Sequence, residues 1–238
     1  MSDSSLIIKL PNSPQGGEMV RLTREDKRRL VEARRRQILE AARRVFARRG
    51  FEGARISEVA KEAGVSEGTI YNYFRSKEDL LVHIPEHFAA PALEPLRRAS
   101  PASPGELESL LTQAATSIVH TMSRNADFLR VFVTALPTLT PRAKERYMQL
   151  LPLPTAEVLE QFLRAGQERG FIRPDLNAAI AARAMPGMLM IFVMFQEILL
   201  DRPLVPFSYE EIIREVVRLF LLGALPREHS PGRVQRAP

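Results

Sequence analysis

The stretch from Ile56 to Phe74 leaves the chain little freedom in how it can fold. Ile56, Val59, Ala60 and Ala63 recur at helical spacing, and Gly64 supplies a turn that other residues take only with strain. Ser66 then stands where a helix N-cap is needed. Ala60 is small enough to let two helices cross closely, and Val59, Val65 and Ile70 fill the space between them. The pattern is helix, tight turn, helix: the helix-turn-helix arrangement, whose second helix enters a DNA major groove. On a helix over 66–74, at about 100° per residue, Ile70 and Phe74 share one face. Gly68, Thr69 and Asn72 share the opposite one, with Tyr71 and Tyr73 to either side. Phe74 is then core, Thr69 and Asn72 face bases, and the tyrosines reach phosphates along the groove walls. Gly68 lets the backbone approach closely. For either tyrosine the alternative is a half-buried ring with a wet hydroxyl.

Charge gains meaning once it is located. Of the net +6, residues 21–80 carry all of it, with 16 Lys/Arg against 10 Asp/Glu, while residues 81–238 carry 17 against 16. Such asymmetry fits one part of the chain meeting a polyanion, although Arg outnumbers Lys throughout and some of it decorates solvated faces. With no cysteine, disulfides and thiolate metal sites are excluded. No signal pattern opens the chain, and the apolar run between Arg183 and Glu197 is too short to span a bilayer, so a cytoplasmic protein without a membrane partner is expected.

Elsewhere the sequence reads as helices, with no alternating strand pattern. Residues 1–30 read as a disordered or flexible basic arm, within which Met19 is a possible start. A helix from about Glu32 to Arg49 carries Ile38, Ala42, Val45 and Phe46 and ends at Gly50. Ser76 caps a fourth helix, with Asp79 completing a capping box. Pro85, Pro91 and Pro95 interrupt its path and predict a bend near Pro85. Further starts fall at Ser103-Pro104 with Glu106, at Thr140-Pro141, at Thr155 (running to Gly170), at Asp175 (to about Leu200) and at Ser208 with Glu211 (to about Gly223). A frayed tail follows over 226–238.

The segment "AMPGMLMIFVMF" is apolar all round and should be buried on every side, with Met188, Met190 and Met194 as adaptable lining. Dimer core, pocket wall and plain core all explain it. Met188 and Phe192 are candidate pocket residues, as are Met122, Phe128, Phe132 and Met148. Ile212, Val216, Leu219 and Phe220 form a stripe suited, with Met194, to joining a partner helix. His83 and His87 stand at metal-ligand spacing, but Pro85 lies between them and no third ligand is evident, so no metal or cofactor is expected. There is no nucleophile elbow, phosphate loop or HExxH, and an enzyme is not indicated.

The stretch "RRQILEAARRVFARRGFEGARISEVAKEAGVSEGTIYNYFRSKEDLL", Arg35 to Leu81, resembles the DNA-binding domain of the TetR/AcrR family of bacterial transcriptional regulators. The resemblance implies an all-α chain: a three-helix DNA-binding domain at 31–80 and a helical effector-binding and dimerisation domain at 81–225. It places Gly68, Thr69, Tyr71, Asn72 and Tyr73 at recognition-helix positions that contact DNA and Lys77 at a phosphate-binding position. Ser66 and Arg55 join the DNA-facing set. In two places the sequence departs from the family pattern. Ala54-Arg55 replaces Thr-Thr, losing a hydroxyl cap, and Glu67 stands where a basic residue is common. The implied function is that of a homodimeric repressor, released from a palindromic double-stranded operator by a small lipophilic effector. A constitutive or architectural DNA-binding dimer without an effector is the alternative, and a pure protein-interaction bundle a third reading.

Overall fold

A computed structural model describes residues 23–199 and 207–225, and all regular structure among them is helical. Residues 1–22 of the arm expected over 1–30, with the possible start at Met19, and the tail over 226–238 lie outside the described residues. The first helix, α1 (Arg24–Gly53), starts earlier than its apolar periodicity suggests. The Thr23 hydroxyl accepts from Asp26 N (3.1 Å) and the Asp26 carboxylate accepts from Thr23 N (3.0 Å), a complete capping box. Residues 24–30 are therefore helix, which corrects the flexible arm. They were missed because that turn carries almost no apolar residue, leaving only its cap as a signal. Gly50 takes φ 69° at the expected place, and the chain kinks there before one more turn that sets Phe51 edge-on against Phe46, 5.7 Å between centroids.

Next come α2 (Ile56–Ala63) and α3 (Glu67–Tyr71), separated by Gly64 at φ 63°, ψ 37°. The third helix is shorter than the 66–74 predicted. Past Tyr71 the backbone continues as a turn in which Tyr73 N and Phe74 N both bond to Ile70 O, at 3.0 and 2.9 Å. Phe74 thus still reaches the core. In α4 (Lys77–Ala89) the Ser76 hydroxyl accepts from Asp79 N at 3.1 Å, but the Asp79 carboxylate accepts from Arg75 N (2.8 Å) rather than from the cap residue itself. Helix α4 continues past Pro85 to Ala89. The α-helical run breaks instead at the 3₁₀ turn Ala90–Leu93, which holds Pro91, before the short α5 (Glu94–Arg97). Pro85 thus lies inside a continuous helix, and the break in the path to the helix after Ser103 falls at Pro91.

The remainder comprises α6 (Pro104–Arg124), α7 (Ala126–Ala135), α8 (Pro141–Leu150), α9 (Pro152–Glu168), α10 (Ala178–Val193) and α11 (Tyr209–Ala224). Ser103, Thr140 and Ser208 cap their helices as predicted. Helix α9 starts at Pro152, ahead of Thr155, and α10 is capped by Asn177, whose side-chain oxygen accepts from Ile180 N at 3.1 Å, two residues after Asp175. A π-helical turn, Met194–Leu199, extends α10.

Two apolar cores organise these helices, and they do not divide at residue 81. The first holds Ile38, Phe46, Ile70, Phe74, Leu80 and Ile84 from α1–α4 together with Phe128, Phe132, Ala135 and Ala143 from α7–α8. The second joins α6 and α9–α11 through Leu107, Leu111, Phe162, Leu163, Leu189 and Val217. There α9 comes so close that a Cβ added at Gly166 would lie 2.9 Å from Ile172 Cδ1 and 3.0 Å from Leu107 Cδ1. Helix α10 packs only one face inward (Ala181, Ala182, Met185, Leu189, Val193), while Ile180, Ala184, Gly187, Met190 and Ile191 are exposed. The expectation that this segment is buried on every side fails within a single chain. By length and composition alone, Ala178–Leu199 could cross a membrane, longer than the run counted between charges, yet its inner face is engaged by α6, α9 and α11.

If α7 completes the first core, Phe128→Ala should destabilise the helices that carry the recognition segment. A cost of about 3–5 kcal/mol is expected from the lost ring and the cavity it leaves, read by denaturant unfolding. Amide exchange in α1–α4 should accelerate in the same variant, and unchanged protection there would contradict the shared core.

Candidate nucleic-acid interface

The recognition segment is built outward from its buried face. Ile70 and Phe74 are each 1% exposed, locked among α1, α2, α4 and α7, while Gly68, Tyr71 and Asn72 are open to solvent. Ser66 caps the helix by accepting from Thr69 N at 3.1 Å, and its hydroxyl lies 2.9 Å from that of Thr69. Thr69 is half-buried. A Cβ added at Gly68 would meet only Ser66 Oγ at 3.9 Å, so nothing inside the protein demands glycine there. The bare backbone matters to what approaches from outside. Tyr71 is 53% exposed, whereas Tyr73 is half-buried and packs against the first core, so the two rings are not equivalent.

Lys77 is placed differently from its expected phosphate role. Its ammonium donates to Phe51 O (2.9 Å), Ala54 O (3.2 Å) and Glu52 O (3.3 Å), and lies 4.6 Å from the Phe51 ring centroid. Its donors thus satisfy the carbonyls that the end of α1 leaves without helical partners. Arg55 is exposed at the start of α2, and its backbone N–H donates to the Glu58 carboxylate at 3.0 Å. That bond supplies one half of a cap whose hydroxyl half, lost with Ala54-Arg55, is missing. Glu67 is exposed in the first turn of α3.

Much of the local arginine excess is spent inside the scaffold. Glu62 accepts from Arg44 and Arg48, both at 2.7 Å, and these bonds hold its carboxyl below the usual range. Arg49 pairs with Glu58 at 3.4 Å, and Gln37 ties α1 to the end of α2 through Ala63 O at 2.7 Å. Counting charge along the sequence could not separate these from arginines that face outward.

His83 is 2% exposed, with Nδ1 2.6 Å from Asp79 O and its ring edge-on to Phe74. His87 faces Glu40 at 3.7 Å instead, and burial lowers its pKa against the pull of that carboxylate. The two imidazoles have different partners, and no group of three or more potential metal ligands occurs among the described residues.

The pocket candidates are not gathered. Phe128 and Phe132 are buried in the first core, Met122, Met188 and Phe192 pack against the second, and Met148 is 43% exposed. Of the dimer candidates, Ile212 and Val216 are buried inside the chain, where α11 meets α6, so they cannot also face a partner. Phe220 and Met194 are half-buried, and Leu219 is 52% exposed. The stripe read from α11 mixed its two faces. Leu222, Ile180 and Ile191, at 66, 66 and 48% exposed, were missed because nothing local says which face α6 takes.

A short helix held by its apolar side, showing glycine, threonine, tyrosine and asparagine outward from an all-helical body, defines a helix-turn-helix DNA-binding protein. Residues 38–84 match the profile of "Bacterial regulatory proteins, tetR family". Residues 38–84 therefore carry a DNA-binding segment of the kind this family shares. It is 28% identical over 200 residues to an uncharacterised HTH-type transcriptional regulator of Bacillus subtilis, YdgC, covering 83% of this chain and 95% of that one. It is 31% identical over 142 residues to the HTH-type transcriptional repressor NicS of Pseudomonas putida, covering 58% and 66%. Among solved structures it is similar to Thermus thermophilus FadR, a TetR-family repressor in complex with lauroyl-CoA, at 25% identity and TM-score 0.61, covering 83% of this chain and 99% of that one.

Lys77→Ala should act through stability. Leaving the α1 carbonyls without their charged donor is expected to cost about 1–3 kcal/mol in unfolding experiments, with the salt dependence of DNA binding unchanged. Tyr71→Phe should do the reverse, weakening all DNA sequences alike while stability holds. A stable Lys77→Ala protein whose salt slope falls by about one would restore the phosphate role.

Proposed function

We propose that this DNA-binding transcriptional regulator is a homodimeric repressor that reads a palindromic operator and releases it when a small lipophilic effector binds. The observation that carries the DNA half is the outward face of α3, with Gly68, Tyr71 and Asn72 open above a locked Ile70 and Phe74. In this reading Asn72 and Thr69 contact base edges, once the Thr69 hydroxyl turns from Ser66. Gly68 admits the backbone to the groove floor, and Tyr71 donates to phosphate. Tyr73 keeps its ring in the core and can offer at most its hydroxyl, and Ser66 and Arg55 flank the reading face. Such a regulator works where the DNA is, in the cytoplasm.

Dimerisation is supported by the apolar outer face of α10 and α11. Ile180, Ile191, Leu219 and Leu222 are large apolar side chains left in water, and Ala184, Gly187 and Gly223 lie among exposed positions on the same helices, where small residues let partner helices approach closely. The effector reading rests on relatives: the Thermus FadR structure contains lauroyl-CoA. Met122, Met188 and Phe192, half-buried around the second core, are adaptable side chains that could part around an acyl chain. A gel-shift titration of operator DNA with lauroyl-CoA tests it directly. Release at micromolar ligand supports the repressor reading, whereas retention of DNA with every acyl-CoA tried favours the constitutive dimer.

Leu222→Asp should give folded monomers, since that side chain is exposed and touches no core, and operator affinity should fall by about tenfold or more as one half-site contact is lost. Light scattering showing an intact dimer would refute the assigned face. Val217→Asp on the same helix should instead unfold the second core, because Val217 is 1% exposed. Asn72→Ala should alter which operator variants are preferred, in contrast to the uniform loss from Tyr71→Phe.

A further inference from the structure

Where the first turn of α4 meets α8, the surface opens into a cleft of about 720 Å³ whose walls come from both halves of the chain. Arg35 of α1 and Arg75 before α4 line one side, and Arg142 and Arg146 of α8 the other. None of these four makes an ion pair or donates a side-chain hydrogen bond within the described structure. Arg35 only covers the face of Phe74 at 4.9 Å, and Arg146 lies close enough to Asp79 to be felt by it without pairing. This contrasts with Arg44, Arg48 and Arg49 on the other side of the same domain, which are all paired.

Two of the three carboxylates in the cleft, though still charged, are held by hydrogen bonds within the protein. Glu78 accepts from Thr140 N at 3.0 Å and Thr140 Oγ at 2.7 Å, while Asp79 accepts from Arg75 N at 2.8 Å and lies 3.2 Å from His83 Nδ1. Only Glu145 lines the cleft without a partner of its own. His83, buried to 2% exposure, also contributes to the lining, and its Nε2 is a buried polar atom with no hydrogen bond. Four guanidinium forks free of ion pairs therefore outnumber the three carboxylates that line the recess, of which Glu145 alone has no hydrogen-bond partner. Guanidinium matches a tetrahedral or planar oxyanion by paired donors, and a group bridging two walls gains from both.

We propose that this cleft is an oxyanion-binding site, taking a phosphate-class group between Arg35 and Arg75 on the DNA-binding side and Arg142 and Arg146 on α8. The group can come from a free phosphorylated metabolite or from a DNA phosphate flanking the operator. A free ligand would bridge α1 and the turn before α4 to α8, beside the Glu78–Thr140 contact, and so bias the seating of the reading head independently of any lipophilic effector. The site stands whether or not the acyl-CoA reading holds.

Inorganic pyrophosphate, titrated calorimetrically into the full-length protein, tests the site. Arg142→Gln with Arg146→Gln should weaken it by about tenfold or more, as expected for loss of charge-assisted bonds. Glu145→Gln should tighten it, a gain that a misfolded variant could not produce. Titration of operator DNA against salt assigns the source. A double variant with a salt slope lower by about one to two identifies DNA phosphate as the ligand, whereas an unchanged slope with lost pyrophosphate binding identifies a free anion. The proposal is overturned if both variants bind pyrophosphate as the wild type does, or if the wild type does not bind it and the operator salt slope is unaltered.

Discussion

A recognition helix of five residues cannot hold itself together, and the burial of Ile70 and Phe74 does it instead. Helix formation is costly at this length, and glycine, threonine and tyrosine do not lower that cost. The segment takes its shape from what lies under it: Ser66 fixes its start, Gly64 its entry, and two apolar side chains its height above the scaffold. Because the inward face does all the anchoring, the outward face is released from structural duty. Gly68, Tyr71 and Asn72 can then be chosen for what they touch.

That anchoring has a consequence for how the halves of the chain communicate. Phe74 packs in a core completed by Phe128 and Phe132 from α7, so the reading head rests directly on helices from the C-terminal part. Polar contacts reinforce the join. Glu78 at the start of α4 holds the capping residue of α8, and Lys77 beside it closes the end of α1. A movement of α7 or α8 would be passed to α4 by packing, since closely packed interfaces shift between discrete arrangements and do not deform continuously.

Several features were legible before any fold was known, because they are short-range. Caps at Ser66, Ser103, Thr140 and Ser208, the left-handed turns at Gly50 and Gly64, and the inward placement of Ile70 and Phe74 depend on neighbours within a turn or two. The start of α1 was equally local, written as Thr23 and Asp26, but apolar periodicity is blind to a helix turn made of charged residues. The end of α3 was not legible, since a helix and the turn that follows it can present Phe74 to the same core.

The sequence by itself determined most of the helices and the helix-turn-helix, since these follow from backbone sterics and side-chain period. Tertiary structure alone decided how each side chain is used. Ile212 and Val216 face α6 inside the chain while Leu219 and Leu222 face out, Lys77 closes α1, and Phe128 packs in the core of the DNA-binding part. Periodicity gives the angle between residues on one helix, but not which neighbour each face will meet, because that is set by contacts between segments far apart in the chain.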